Sequence, residues 1–419
     1  MTNSKMTDYG LDHLFRHQYG KMVSILTRIF GLEHLETVED AIQDTFISAL
    51  QAWRAHPPDN PEGWLMQAAK NRIVDLTRKL QAEKKRVPKL ESGPASIALQ
   101  ELFLDSEIAD SQLRMIFTAC HPALKPGDQI AFALKTISGF STSEIAGALL
   151  VKEDTVKKRL TRARQVVKDS QISFEIPQGP ALESRLEMVL KVIYLIFNEG
   201  FHSGRQEILV REELCGEAMR LCRMLMDNRH TQKSNVYALF ALFCFQCARL
   251  RSKTGEAGEV ISLEEQDRSL WDRELMILGD RAMNRAVETE HYTRYHFEAA
   301  IASEHLKAGA YEQTNWNRIL RWYTMLYEIH PSDFTRLNMA MAQLQRGEPT
   351  ECKTLLDNID PQTLEQRAYL YYGLLAEYYY NQGDRAKCLQ NIDQAIQLVQ
   401  NQSERTYLVK KRKFFIINY

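Results

Sequence analysis

The sequence predicts an all-α fold, two small helical domains followed by a longer helical array, and three observations carry that prediction. Apolar residues recur at three- and four-residue intervals along most of the 419 residues, the spacing that lines one side of a 3.6-residue turn. Alternating β-branched runs bounded by turn dipeptides are scarce. Near its end the chain repeats a helix-pair pattern.

The stretch VEDAIQDTFISALQAW, Val38 to Trp53, shows the periodicity most clearly. Val38, Ala41, Ile42, Thr45, Phe46, Ala49, Leu50 and Trp53 form an apolar stripe that is expected to be core. Glu39, Asp40, Gln43, Asp44, Ser48 and Gln51 form an acidic and amide face almost free of Lys or Arg. Such faces usually meet only water. The helical block runs to residue 80. The charged, Pro-, Gly- and Ser-containing segment QAEKKRVPKLESGPAS then reads as a linker over 81–104, because it holds too little apolar surface to fold alone.

Helical patterning resumes at Asp105 and forms a second domain over 105–172. Its clearest part is STSEIAGALLVKEDTVKKRLTRAR. Ser141 followed by Glu144 is a capping box, since hydroxyl and carboxylate can each satisfy a free N–H at a helix start. A short helix, a turn at Leu150-Val151 and a second helix from Thr155 to Arg164 make a helix-turn-helix. Val156 and Leu160 face inward, and Lys157, Lys158, Thr161 and Arg162 lie on the outer face, where long donors reach base edges or phosphates in a major groove.

After ISFEIPQGP, where Pro177, Gly179 and Pro180 punctuate the pattern, helices fill 180–419. In YYGLLAEYYYNQGDRAKCLQNIDQAIQLVQ, residues Tyr372, Leu375, Ala376, Tyr379, Cys388, Ile392 and Ala395 fall where a tetratricopeptide helix pair puts its packing residues. An earlier unit repeats this with Ala340, Gly347, Cys352 and Leu356. Units of this kind must stack to bury their faces.

Composition bounds the function. Hydrophobic residues at 44% and charged residues at 26% are ordinary for a soluble protein. No run approaches a membrane span, and the charge-punctuated first residues carry no signal-peptide stretch. A cytoplasmic location is therefore expected. The seven cysteines are scattered, and Cys244 and Cys247, a lone CxxC in an apolar run, read as buried free thiols. The net charge of −1 argues against general coating of nucleic acid. Its distribution says more. Lys70, Arg72, Arg78, Lys79, Lys84, Lys85, Arg86 and Lys89 crowd one stretch, and Lys152, Lys157, Lys158, Arg159, Arg162, Arg164 and Lys168 another, as positioned phosphate contacts would require.

In this order and spacing, VEDAIQDTFISALQAW, PEGWLMQAAKNRIVDLTRK and the helix-turn-helix resemble regions two and four of bacterial RNA polymerase sigma factors of the extracytoplasmic-function type. VIYLIFNEGFHSG, LEEQDRSLWDRELM and NWNRILRWYTML resemble recurring segments in the tetratricopeptide-like extension of one large group of that type. Leu150 stands where the usual turn carries Gly, and that group tends to be apolar there.

The resemblance implies partners and roles. Core RNA polymerase would dock its clamp helices on Asp40, Gln43 and Asp44, with charge supplying steering and register. Promoter DNA would be read twice. Asn71, in a pocket next to the loop Arg54 to Gly63, would take an unstacked base of the downstream element, its amide both donating and accepting, while Arg72, Arg78 and Lys79 track phosphates. Lys157, Lys158, Arg159, Thr161 and Arg162 would read the upstream element. Trp64 is read as packing. The extension would regulate or support these regions in cis, with its concave face open to a signalling protein or peptide. No cofactor or metal is expected.

Two other functions compete. An enzyme could be assembled on paper from His202, His291, His296 and His305 with Glu199 and Glu298, but no close ligand pair such as HExxH occurs, and the chain is read as no enzyme. A helix-turn-helix regulator with a helical sensing domain, not bound to core polymerase, explains the recognition helix. It leaves the region-two motifs without a role.

Overall fold

A computed structural model describes residues 8–53, 58–65, 67–69, 71–72, 75, 105–149, 151–170, 172–201, 211–253, 255 and 260–419. Among them the elements are helices, with no β-strand, and no helix is long and apolar enough to cross a membrane. The chain divides into two compact units, Met1–Ile196 and Phe197–Tyr419.

In the first unit α1 (Asp8–Phe30) is the central element. Residues 18–20 and 22–27 are all buried, because α1 packs on α2 (Leu35–Trp53) and also on α3 (Asp105–Ala119) and α4 (Pro126–Ser138). A helix covered on several sides loses the one-sided stripe of a surface helix. Its crossing with α4 depends on a missing side chain. A Cβ at Gly20 would stand 1.8 Å from the Ile137 carbonyl oxygen, so only glycine allows this approach. Gly139 caps α4 in the left-handed region at φ 66, and the Tyr19 ring lies over it.

The expected stripe of α2 builds a local core. Ala49, Trp53 and Leu65 are buried with Leu14, Phe15, Phe46 and Trp64 around them. Phe15 stacks on Phe46 at 4.6 Å, and Trp53 meets Trp64 edge-on at 5.4 Å, so Trp64 packs as its sequence context suggested. The helical residues after Asn60 begin with its side chain accepting from the Gly63 N–H at 2.9 Å, a cap for free backbone donors.

The helix-turn-helix consists of α5 (Thr142–Leu149) and α6 (Glu153–Asp169). Its capping box is formed in both directions: the Ser141 N–H donates to Glu144 Oε2 at 2.9 Å, and the Glu144 N–H to Ser141 Oγ at 3.2 Å. Val156 and Leu160 are buried as the pattern required. Beyond α6 the chain stays on the unit: Ile172 and Pro177 are buried and Arg114 donates to the Phe174 carbonyl at 3.4 Å. The following helix, α7 (Pro180–Phe201), begins in this unit and ends in the second.

In the second unit α8 (Glu212–Asp227) and α11 (Arg273–Ala286) flank α9 (Ser234–Cys247), together with α12 (Arg294–Lys307). The short α10 (Leu250–Lys253) follows α9. Helix α9 is buried almost all round, including Cys244 and Cys247, which are free thiols. Burial pushes the Cys244 thiol up to about 12, which keeps it protonated and inert. Helices α13 (Trp316–Ile329), α14 (Asp333–Gln345), α15 (Pro349–Asp357), α16 (Ala368–Asn381), α17 (Arg385–Leu398) and α18 (Gln402–Ile417) then pack neighbour on neighbour. Ala340, Cys352 and Leu356 are buried in one such layer, and Ala376, Cys388, Ile392 and Ala395 in the next.

The Gly20 contact makes a sharp stability prediction. Gly20→Ala should destabilise the first unit by about 1–3 kcal/mol in urea unfolding, the usual cost of overpacking. Gly216→Ala, on α8 where nothing lies within 4 Å of the added Cβ, should be neutral or gain up to about 1 kcal/mol.

Candidate nucleic-acid and protein interface

Helix α2 differs from its sequence pattern at two positions, Glu39 and Leu50. Asp40, Gln43 and Asp44 are exposed as expected. Glu39 is only 3% exposed. It accepts from Tyr19 Oη at 2.9 Å and from Arg164 Nη2 at 2.8 Å, so a residue expected on the solvated face is an internal acceptor. Leu50, placed by periodicity in the core stripe, is 42% exposed, and Ile47 is 53% exposed. The exposed face therefore combines carboxylates, amides and two large apolar side chains.

One of these positions, Asp44, also touches a downstream-element candidate. Arg72 Nη2 donates to Asp44 Oδ2 at 2.6 Å, with both side chains about half exposed, so this pair adds little stability but ties the two faces together. Asn71 is exposed, and its amide oxygen accepts from Gln67 Nε2 at 3.0 Å. Arg78, Lys79, most of the basic cluster and residues 54–57 of the loop lie outside the described residues, as does Leu150 of the turn.

On α6, Lys157, Lys158, Thr161 and Arg162 are exposed and Arg159 is half-buried. Their commitments are unequal. Lys157 lies 3.5 Å from Glu153 and 3.7 Å from Asp154 on its own helix, and Thr161 Oγ1 donates to the Lys157 carbonyl at 3.0 Å. The Arg159 guanidinium lies against Gly127 at the start of α4. Arg162 forms a two-pronged pair with Asp128, Nε to Oδ2 at 3.1 Å and Nη2 to Oδ1 at 2.6 Å. Asp128 is 4% exposed, and its hydrogen bond raises the Arg162 pKa further.

The deepest polar contact joins the two parts of the site. Tyr19 on α1, Glu39 on α2 and Arg164 on α6 form one chain of hydrogen bonds. Burial first, and the Glu39 charge second, push the Tyr19 phenol well above its ordinary value, so it remains a donor. At the other end of α1, Arg28 Nη1 donates to Glu107 Oε2 at 2.7 Å and lies 3.6 Å from Asp110 on α3.

The histidines do other work. His296 closes a capping box with Thr293 and lies 3.1 Å from the Ala286 carbonyl. Burial pushes the His305 imidazole down to about 3. Glu199 pairs with Arg211 and Glu298 with Arg294.

Comparison with known proteins fits this geometry. Residues 14–83 match Sigma-70 region 2, which contains α2 and Asn71, and residues 114–166 match Sigma-70, region 4, which contains the helix-turn-helix. The chain thus carries matches to both sigma-70 regions in one polypeptide. A further match, over 185–287, is to a family of unknown function, DUF6596. An uncharacterized protein of Rhizobium meliloti is 32% identical over 411 residues, covering 96% of this chain and 95% of that one. The ECF RNA polymerase sigma factor SigE of Mycolicibacterium smegmatis is 30% identical over 166 residues, 38% of this chain and 60% of that protein. The ferric citrate uptake sigma factor FecI of Escherichia coli is 29% identical over 157 residues, 36% and 85% respectively. No solved structure matches.

The Asp128 contact separates stability from DNA reading. Arg162→Ala leaves the buried Asp128 carboxylate without its partner and should lower stability measurably more than a change at an uncommitted lysine. Lys158→Ala should cost less than about 0.5 kcal/mol. Urea unfolding of the two variants checks the difference.

Proposed function

We propose that this chain is a sigma factor that binds core RNA polymerase through α2 and directs promoter recognition, DNA opening and transcription initiation in the cytoplasm. One observation carries the reading: a region-2 helix presenting Asp40, Gln43 and Asp44 beside exposed Ile47 and Leu50 occurs in one chain with a region-4 recognition helix presenting Lys157, Lys158 and Thr161. Carboxylates steer a basic partner. The two apolar side chains supply the desolvated contacts that hold it.

Asn71 takes a downstream-element base and Arg72, Arg78 and Lys79 its phosphates. The donor end of the Asn71 amide, opposite the oxygen held by Gln67, suits that role. Upstream, Lys157, Lys158, Arg159, Thr161 and Arg162 face the duplex, with Lys158 and Thr161 nearest to base reading because Arg159 and Arg162 are partly committed elsewhere. A regulator working without polymerase would share this helix. It would have no use for the exposed Ile47 and Leu50 on α2.

The C-terminal helices are read as a tetratricopeptide-like array that supports regions 2 and 4 in cis and offers its concave face to a signalling protein or peptide. Supporting the cis role, the chain after α6 stays buried within the first unit at Ile172 and Pro177. The protein itself carries out no chemistry in this reading.

Runoff transcription with purified core polymerase over a promoter library tests the proposal. Promoter-specific transcripts should depend on the chain, and Asp44→Lys should weaken core binding about tenfold, some 1.4 kcal/mol, without unfolding. Failure to co-elute with core would leave the polymerase-independent regulator.

A further inference from the structure

We propose that the second unit binds a phosphate group, as the free ion or on a small phosphate monoester, in a polar cavity between the start of α13 and the end of α14. The site stands on that unit's own side chains and is independent of the sigma-factor reading.

The cavity has a volume of about 280 Å³ and is lined by Thr314, Asn315, Trp316, Asn317 and Arg346, with no carboxylate among them. Its charge is therefore positive. A second cavity, of about 320 Å³ beside α18, shows the contrast. There Lys410 meets Glu265 and Lys411 meets Glu377, each at 2.7 Å, so the lysines are already balanced.

Arg346 supplies the charge of the first cavity. Its Nε donates to Asn317 Oδ1 at 2.7 Å and its Nη1 to Gln343 Oε1 at 2.6 Å. Both acceptors are neutral amides, so the guanidinium is oriented without being neutralised, and its Nη2 donors have no protein acceptor among the described residues. A guanidinium fork of five donors matches phosphate geometry. The carboxylate that reaches the first turn of α13, Glu304, is engaged elsewhere, by Arg318 at 3.3 Å and Lys307 at 3.6 Å.

The start of α13 adds backbone donors and the positive end of a helix dipole. In its first turn the Trp316 N–H donates to the Thr314 carbonyl at 2.9 Å, and the Arg318 N–H to Asn315 Oδ1 at 3.1 Å. The Asn317 N–H between them is left without a partner among the described residues, one of the orphan donors of a helix start.

By itself a helix start does not make a site. The independent observation is Thr314, which lines the cavity, is 6% exposed and carries a buried Oγ1 with no hydrogen-bond partner. Buried hydroxyls are rarely left so, and an oxyanion in the cavity gives this one an acceptor. Hydroxyl, backbone N–H and guanidinium thus border one polar space from different parts of the chain. Phosphate, with three strong acceptor oxygens arranged tetrahedrally, can meet donors on several sides, whereas a planar carboxylate meets them along one edge. Arg346 is exposed, so affinity should fall with added salt.

Isothermal titration calorimetry on the full chain at low ionic strength, with inorganic phosphate, O-phosphoserine and acetate as probes, tests the site. Phosphate and O-phosphoserine should bind, and acetate should bind far more weakly. Tighter binding of O-phosphoserine than of the free ion identifies the ester as the ligand, and equal binding identifies the ion. Arg346→Gln should weaken phosphate binding at least about tenfold. Thr314→Val, close in shape but without the hydroxyl, should weaken it severalfold while thermal unfolding shows stability kept or raised. Loss of phosphate affinity in folded Thr314→Val supports the site even where Arg346→Gln proves unstable. No binding of either phosphate probe, unchanged affinity in folded Arg346→Gln, or acetate binding as tightly as phosphate overturns it.

Discussion

A buried carboxylate governs the first unit. Glu39 sits at 3% exposure between a phenol and a guanidinium, and a carboxylate removed from water is tolerable only when donors meet it. Tyr19 and Arg164 come from two other helices, so satisfying Glu39 fixes α1, α2 and α6 together. Gly20 makes the arrangement possible by letting the backbone of α1 approach that of α4 at Ile137. The charge at Glu39 and the absence of a side chain at Gly20 thus serve one contact. Removing either partner of a buried pair leaves an uncompensated charge, which typically costs about 3–5 kcal/mol.

The same logic sorts the charged side chains of α2 and α6. Arg162 and Arg164 are one helical turn's neighbourhood on α6, yet the first answers Asp128 within region 4 and the second answers Glu39 in region 2. Neither is a simple free cation awaiting DNA. Lys158 and Thr161 keep an exposed position, and on α2 the Asp44 carboxylate is held only by a half-exposed Arg72. Exposed pairs of that kind exchange partners at little cost. The carboxylate and the guanidinium can therefore each change partner without loss to the fold.

Local patterns in the sequence were legible where they have local causes. The Ser141 and Glu144 capping box, the inward Val156 and Leu160, the packing role of Trp64 and the buried thiols of Cys244 and Cys247 all follow from short-range spacing or side-chain chemistry. Glu39 and Leu50 did not follow, because periodicity measures which side of a helix is apolar and not which elements cover it. Helix α2 is covered unevenly: Glu39 is reached by α1 and α6, while Ile47 and Leu50 lie on a side that is exposed among the described residues. Helix α1 was harder still, since residues covered on several sides give no single stripe. Gly20 carries no signal in one sequence, although its place on a helix whose other faces are full is the mark of a close crossing.

The coupling between Glu39 and Arg164 is the most direct measure of whether one polar contact holds regions 2 and 4 together. Native-state hydrogen exchange of the α1 amides in the full chain, in Glu39→Gln, in Arg164→Gln and in the double variant, closes a thermodynamic cycle. A coupling of roughly 1–3 kcal/mol in the opening free energy of α1 is expected. Strict additivity of the two substitutions would contradict it.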